Sequence, residues 1–433
     1  MVLWDVVEEH LGEAGFQWQQ WQRGLASPRL DVYRLAAGSE AALGAHLDGL
    51  GVAGDAAVTR LLAPALTEGD PEIAAAAATV LLARSDGVDR VAGALRAARE
   101  PGRRHALTRA VALSRHPDRE RHLLPWLAEA QPHLAAAALE ALARRRLDPG
   151  PLIRPALKSD DPWVVIAALR AARFSDQPVA AVVDEMIQTR EPAVRDRALE
   201  TSLRRGGRAA FLACRRLVEA RDPTAAFPLA VLAIGGEAED LARIEGCLHE
   251  AALRPAAVRA LGYAGRSGAI DGLLDAGADA RIARLVGEAF AAITGIPIAG
   301  PLAAPIPGAG DEPDQLAAPV GEDLGVDLSA GPESELPVPD LPALADRWRS
   351  ARASLAPSMR WLGGRHFGRE ALLGSLDRAP MRRRPLLVLE LEIRSQGRWM
   401  IDAGDWAREQ IRAARQPQAA RAGDTAFAES WKD

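Results

Sequence analysis

The sequence predicts an all-α chain: a superhelix, or solenoid, of stacked helical hairpins with a helical cap at each end. Three observations predict it. Prolines recur at a near-constant interval, apolar positions repeat in phase with them, and atypical tryptophan-rich segments flank the repeating part. At 433 residues the chain exceeds what one core usually fills, so about two to four compact domains or one elongated array is expected.

Residues 59–296 carry the repeat. Pro71, Pro101, Pro132, Pro162, Pro192 and Pro223 stand 30 or 31 residues apart. Each follows about ten residues of helical pattern and opens a more alanine-rich helical stretch, so one unit is one hairpin. A proline fits the first turn of the second helix, where its missing N–H is not needed, and Asp70, Asp161 or Asp222 just before it can cap that helix. Five residues before the proline come Leu66, Arg96, Leu127, Leu157, Ile187 and Val218. Six after it come Ala77, Leu107, Ala138, Ala168, Ala198 and Leu229, and ten after it Leu81, Val111, Leu142, Ala172, Ser202 and Ala233. The last two sets lie one helical turn apart on one face, which a hairpin alone cannot bury and must hide by stacking. Degenerate units over 241–267 and 270–296 bring the number to about eight.

The stretches Leu157-Lys158-Ser159-Asp160-Asp161-Pro162-Trp163-Val164-Val165, Arg190-Glu191-Pro192-Ala193-Val194-Arg195 and Arg221-Asp222-Pro223 resemble HEAT-like repeats. The form is the short one of about 30 residues, also found in phycobilin lyases. The resemblance covers more than half the chain and implies a right-handed HEAT-like alpha-alpha superhelix. Val2 to Leu11, Trp18, Trp21 and His46 to Leu50 further resemble the opening of an uncharacterised proteobacterial HEAT-like family. That likeness implies an association with bacterial type VI secretion loci and supplies no catalytic residue to carry over.

Residues 1–58 place Trp4, Val7 and Leu11, then Trp18, Trp21 and Leu25, at helical spacings. Solenoids need atypical terminal units, so the segment reads as an N-terminal cap; the competing reading is an aromatic anchor for a partner. Residues 297–342 hold ten prolines and nine acidic residues without one Lys or Arg, and read as a stiff acidic linker. Even a flexible coil of that length would separate its ends by about 40 Å. Residues 343–433 carry 17 basic and 11 acidic groups and five of the ten tryptophans, Trp348, Trp361, Trp399, Trp406 and Trp431. There Glu370–Leu376, Ala379-Pro380 and Met381–Ile393 imitate another hairpin, so a ninth unit or C-terminal helical cap is expected.

Composition narrows the function. Apolar residues at 48% and charged residues at 26% exclude whole-chain disorder. The apolar run Ile73–Ala83 falls far short of the roughly 20 residues of a membrane span. The acidic, quickly amphipathic N-terminus lacks a signal-peptide pattern, so a cytoplasmic location is expected. Two cysteines, Cys214 and Cys247, are too few for a disulfide framework and read as small core residues. A net charge of −5 supplies no global field for nucleic acid.

The chain contains no Gly-rich phosphate loop, nucleophile elbow or paired His motif. Di-iron hydroxylases of the HEAT-like fold carry repeated His-Glu dipeptides, whereas His249-Glu250 is single here, and Cys247-Leu248-His249 is short of ligands for zinc. Neither a metal nor another cofactor is therefore expected. Eight residues after the proline stand Arg109, Glu140, Arg170 and Glu200, whose alternating signs let neighbouring units pair. Phosphate binding would prefer one sign throughout. Such exposed pairs would contribute about 0–1 kcal/mol each.

These four residues, with Trp163 as an apolar neighbour, are the candidate contacts for another protein or peptide. Arg382, Arg383 and Arg384 form a basic run as dense as any in the chain, expected on a solvated helix surface where the acidic linker could dock. The function these features favour is noncatalytic: a protein-binding adaptor or assembly scaffold. The alternative is a HEAT-like enzyme, either a lyase-like ligand binder or a DNA repair glycosylase. A pocket converging on several polar groups would favour that alternative.

Overall fold

A computed structural model describes residues 3–84, 86–114, 120–129, 131–235, 238–304, 331–417 and 427. The fold is all-α, with helices in a repeating packed arrangement. Among the described residues the only strands are the two-residue antiparallel pair Trp361–Leu362 and Arg365–His366. Contacts divide the chain into two compact units, Met1–Cys214 with Leu376–Ala428 and Arg215–Ser375 with Glu429–Asp433.

In the first unit, five of the six periodic prolines open helices: Pro71–Leu82, Pro101–Leu113, Pro132–Arg145, Pro162–Ala171 and Pro192–Arg204. Each packs on the next, and the first of them packs on the long N-terminal helix Trp4–Gly24. The Asp161 carboxylate accepts the Trp163 N–H at 2.9 Å and so caps its helix, whereas the Asp70 side chain makes no cap bond. Pro223 departs from the series, because its helix starts only at Ala226 and Asp222 instead accepts from Thr224 in the preceding turn. The periodic faces are interior. Ala77, Leu107, Ala138, Ala168, Ala198 and Leu229 are all 0% exposed, and the positions four residues on are buried as well. Small side chains there let helices approach closely. Gly15 shows the limit, since a Cβ at that position would lie 2.6 Å from Ile73 Cγ1.

The C-terminal residues of this unit close it rather than extend an array. Helix Arg384–Arg394 is buried over most of its surface and packs on the Pro192 helix. Its Glu390 and Arg394 form an i,i+4 ion pair at 2.8 Å, both nearly inaccessible. Helix Ala407–Arg415 starts on Glu40, a buried carboxylate that accepts the N–H groups of Ala407 and Arg408 and the indole N–H of Trp21. The Trp406 ring centre lies 4.5 Å from that of Trp21, with the planes tilted by 38°, and 5.9 Å from that of Trp18, edge to face. Trp18 and Trp21 of helix Trp4–Gly24 are thus covered by Trp406 of this chain's own C-terminal part. Trp431 lies outside the described residues.

The second unit stacks helices Ala226–Gly235, Arg254–Ala264 and Ala283–Thr294, with shorter helices between them. Residues 343–375 belong here and not with the rest of the expected C-terminal segment. Trp348 Nε1 donates to Asp271 at 2.9 Å, and Arg360 donates to the carbonyls of Tyr263 and Ala264 at the end of their helix. Gly265 (φ +69°) and Gly295 (φ +74°) end two helices in the left-handed region and admit the strand pair. A Cβ on Gly265 would sit 2.2 Å from Trp361 O.

The linker also departs from expectation, because its ends meet. Ala303 bridges Pro339, Ala304 N–H donates to Val338 at 2.8 Å and Asp340 N–H to Leu302 at 3.0 Å. Backbone pairing therefore replaces the 40-Å-scale separation of a free coil. The central part, 305–330, lies outside the described residues.

Candidate functional site

The repeat places one polar side chain per helix on a common line in the first unit: Arg109, Glu140, Arg170 and Glu200. Arg170 bridges to Glu140 of the neighbouring helix at 2.6 Å. Glu200 pairs within its own helix, with Arg197 at 2.5 Å and Arg204 at 2.8 Å. Arg109 forms no ion pair among the described residues; its guanidinium donates to Gly404 O at 3.0 Å and lies 4.9 Å from the Trp21 ring centre.

This ladder is covered, contrary to the exposed pairs expected, by the strap Met400–Asp405, a loop that turns at Asp402, where Asp405 N–H donates to Asp402 O at 3.0 Å. Asp402 reaches into it, bridging Arg144 at 2.9 Å and Arg170 at 3.0 Å, while its other oxygen accepts Gly404 N–H at 2.9 Å. Arg146 donates to the carbonyl of Met400. Glu392, 4% exposed, takes both Arg173 and Arg204.

Covering the ladder removes water, so partners decide each charge. Burial alone raises a carboxylate's pKa, but Arg144 and Arg170 outweigh it and hold Asp402 far below the ordinary range. Glu200 is likewise penalised by burial, yet Arg197 and Arg204, followed by Arg173 and Arg170, bring it down to about 2. Burial opposes the charge on Arg170 too, but Glu140 and Asp402 raise its pKa above the usual value. Arg109 is pushed down to about 10, first by burial and then by Arg144. It remains a cation at neutral pH and is the one ladder member without a bound carboxylate. Burial, helped by Arg109, also lowers His105.

Two half-open cavities flank the strap. One, of about 590 Å³, is lined by Arg109, Arg144, Arg170, Arg173, Arg197, Arg204, His105, Glu200 and Asp402, with Leu25, Ala26 and Pro385 among its apolar walls. The other, of about 550 Å³, shares Arg144, Arg170, Arg173 and Asp402 and adds Arg145, Arg146 and Arg412.

The other expected contacts lie elsewhere. Trp163 is 50% exposed, and its ring centre is 5.8 Å from that of His105. The basic run is a correction: Arg383 and Arg384 are buried, not solvated. Arg384 donates to Gln410 at 2.9 Å and to the Leu376 carbonyl, and Arg382 N–H donates to Ser27 O at 3.1 Å. These bonds tie the run into the interior; the central linker, 305–330, that could dock on it lies outside the described residues.

The members missed by sequence reasoning are Arg144, Arg173, Arg204, Glu392 and Asp402. Arg144 and Arg204 stand four residues after Glu140 and Glu200, a spacing that puts them on the ladder face. Asp402 had no such periodic signal. Both cysteines are buried and their thiols are pushed up by burial, away from thiolate chemistry. Among the described residues no group of three or more His, Cys, Asp or Glu is placed to hold a metal ion.

The class defined so far is an all-α protein of stacked helices whose first unit encloses an arginine–carboxylate network. No protein-family model matches the chain, and no curated protein matches it. Among solved structures it is similar to human deoxyhypusine hydroxylase in complex with glycerol, at 17% identity over 64% of this chain and 94% of that chain. The TM-score is 0.23, and a likeness at that level carries no argument about this protein.

Proposed function

We propose that this protein is a noncatalytic HEAT-like scaffold that holds another protein through a short acidic loop. The observation that carries this reading is the strap. Four arginines, Arg109, Arg144, Arg146 and Arg170, grip the six-residue loop Met400–Asp405, which turns at Asp402–Asp405, through one carboxylate and two backbone carbonyls. That is the chemistry by which a helical groove would take an acidic peptide from a partner, with charge-assisted bonds to the side chain and carbonyl bonds indifferent to sequence. The polar-lined cavity beside the strap meets the condition set for the enzyme alternative, but its carboxylates Glu200 and Asp402 are held ionised against guanidiniums and the thiols are buried, which favours holding over bond-breaking. The likeness to a proteobacterial HEAT-like family makes a cytoplasmic bacterial assembly, of the type VI secretion kind, the setting in which to seek the partner.

The test uses the full chain carrying Asp402→Asn, which weakens the internal strap. A synthetic peptide of residues 398–406 with its native aspartate should bind this variant, and the same peptide with asparagine at 402 should bind about tenfold more weakly, the loss of one charge-assisted contact. Equal binding of the two peptides would refute the reading.

A further inference from the structure

We propose that the 590 Å³ cavity beside the strap is a binding site for a small organic anion carrying two negative charges, either a phosphate ester or a dicarboxylate. This inference does not rest on the peptide reading.

The network balances incompletely. Six arginines line the cavity, and the carboxylates bonded to them are four: Glu140, Glu200, Glu392 and Asp402. Two positive charges are left over on side chains mostly covered by protein, where an uncompensated charge is expensive. The surplus can be located. Arg109 has no ion pair among the described residues, and its Nε is buried without a hydrogen-bond partner. The Nε of Arg144, whose side chain is only 6% exposed, is buried without a partner as well. Unmet donors on planar guanidiniums around a cavity suit an oxyanion, which can accept several N–H bonds at once.

Size and walls narrow the ligand further. The volume falls within the roughly 300–1,000 Å³ usual for organic ligands and exceeds what a bare inorganic anion needs. Leu25, Ala26 and Pro385 give one side an apolar lining, so the anionic end faces the arginines while a carbon skeleton meets that wall. The asymmetry between a cationic side and an apolar side distinguishes this cavity from a salt-filled surface cleft.

Isothermal titration of the full chain with glycerol 3-phosphate and, separately, with succinate, both organic dianions near neutral pH, tests the proposal against sodium chloride at matched ionic strength. At least one of the two should bind saturably above the chloride control. Glycerol 3-phosphate binding alone assigns phosphoryl chemistry, succinate alone assigns carboxylate chemistry, and both together assign the shared dianion. Arg109→Gln leaves no carboxylate without its partner, so the fold should tolerate it, and it should raise the Kd about tenfold. Arg197→Gln, which leaves Glu200 paired with Arg204, serves as the second variant should the first not fold. Arg60→Gln, on the exposed pair with Glu8, should change nothing. Binding of neither anion beyond chloride, or binding unaltered by both Arg109→Gln and Arg197→Gln, would overturn the proposal.

Discussion

Asp402→Asn isolates the charge on which the strap depends. Asparagine keeps the shape and an oxygen for the Gly404 N–H but removes the charge shared by Arg144 and Arg170. Arg170 keeps Glu140 at 2.6 Å, so the larger loss falls on Arg144, 6% exposed and bridged to Asp402 alone among the described residues. Breaking a fully buried pair from one side costs about 3–5 kcal/mol. Asp402 retains 27% exposure, so about 2–3 kcal/mol is the fitting figure. For a unit of this size each kcal/mol moves the thermal midpoint by about 2–4 °C, so a drop of about 4–12 °C is expected by scanning calorimetry at neutral pH.

The pH profile supplies a second readout. The folded Asp402 carboxyl titrates far below its ordinary value of 3.8, so its contribution is fully present above that value and disappears as pH falls toward the folded pKa. The gap between native chain and variant should stay constant from about pH 5 to 8 and narrow below about pH 4. A midpoint shift under about 1 °C, or a gap that persists unchanged in acid, would refute the reasoning.

Three further outcomes follow from other parts of the fold. Glu40→Ala strips the acceptor from Trp21 Nε1 and from the first N–H groups of helix Ala407–Arg415. It should cost about 2–3 kcal/mol in chemical denaturation and speed amide exchange over 407–415, with Glu40→Gln restoring part of both. Gly265→Ala forces a Cβ against Trp361 O at a positive φ and should destabilise the second unit by about 2 kcal/mol or more; an unshifted calorimetric transition would contradict that packing. Ala168→Leu overfills a fully buried position and should cost about 1–3 kcal/mol, while a neutral result in a urea titration would mean the helices there have room to part.

The elements that could be read from sequence are those whose cause is local and repeated. A proline every 30 or 31 residues dictates where helices begin, and small residues six and ten positions later dictate which face is hidden. Pro223 shows the limit of the rule: Asp222 and Thr224 form their own turn, and the helix starts three residues late. The ladder was legible for the same reason, one charged position per helix in phase with the proline. Its covering was not.

Asp402, Glu392 and Trp406 meet their partners across sequence separations of about 190 to 390 residues, and no periodicity links one end of the chain to the other. Their placement instead follows from compensation. A row of arginines buried by helix stacking needs carboxylates from somewhere, and Trp18 and Trp21 need a hydrophobic cover. The strap and its flanking helices supply both at once. The same reasoning explains why the basic run at Arg382–Arg384 misled. Density of charge in sequence suggests solvent, but Arg384 spends its guanidinium on Gln410 and the Leu376 carbonyl inside the fold. Where an arginine points is decided by which acceptors lack donors, a three-dimensional ledger that local pattern does not encode.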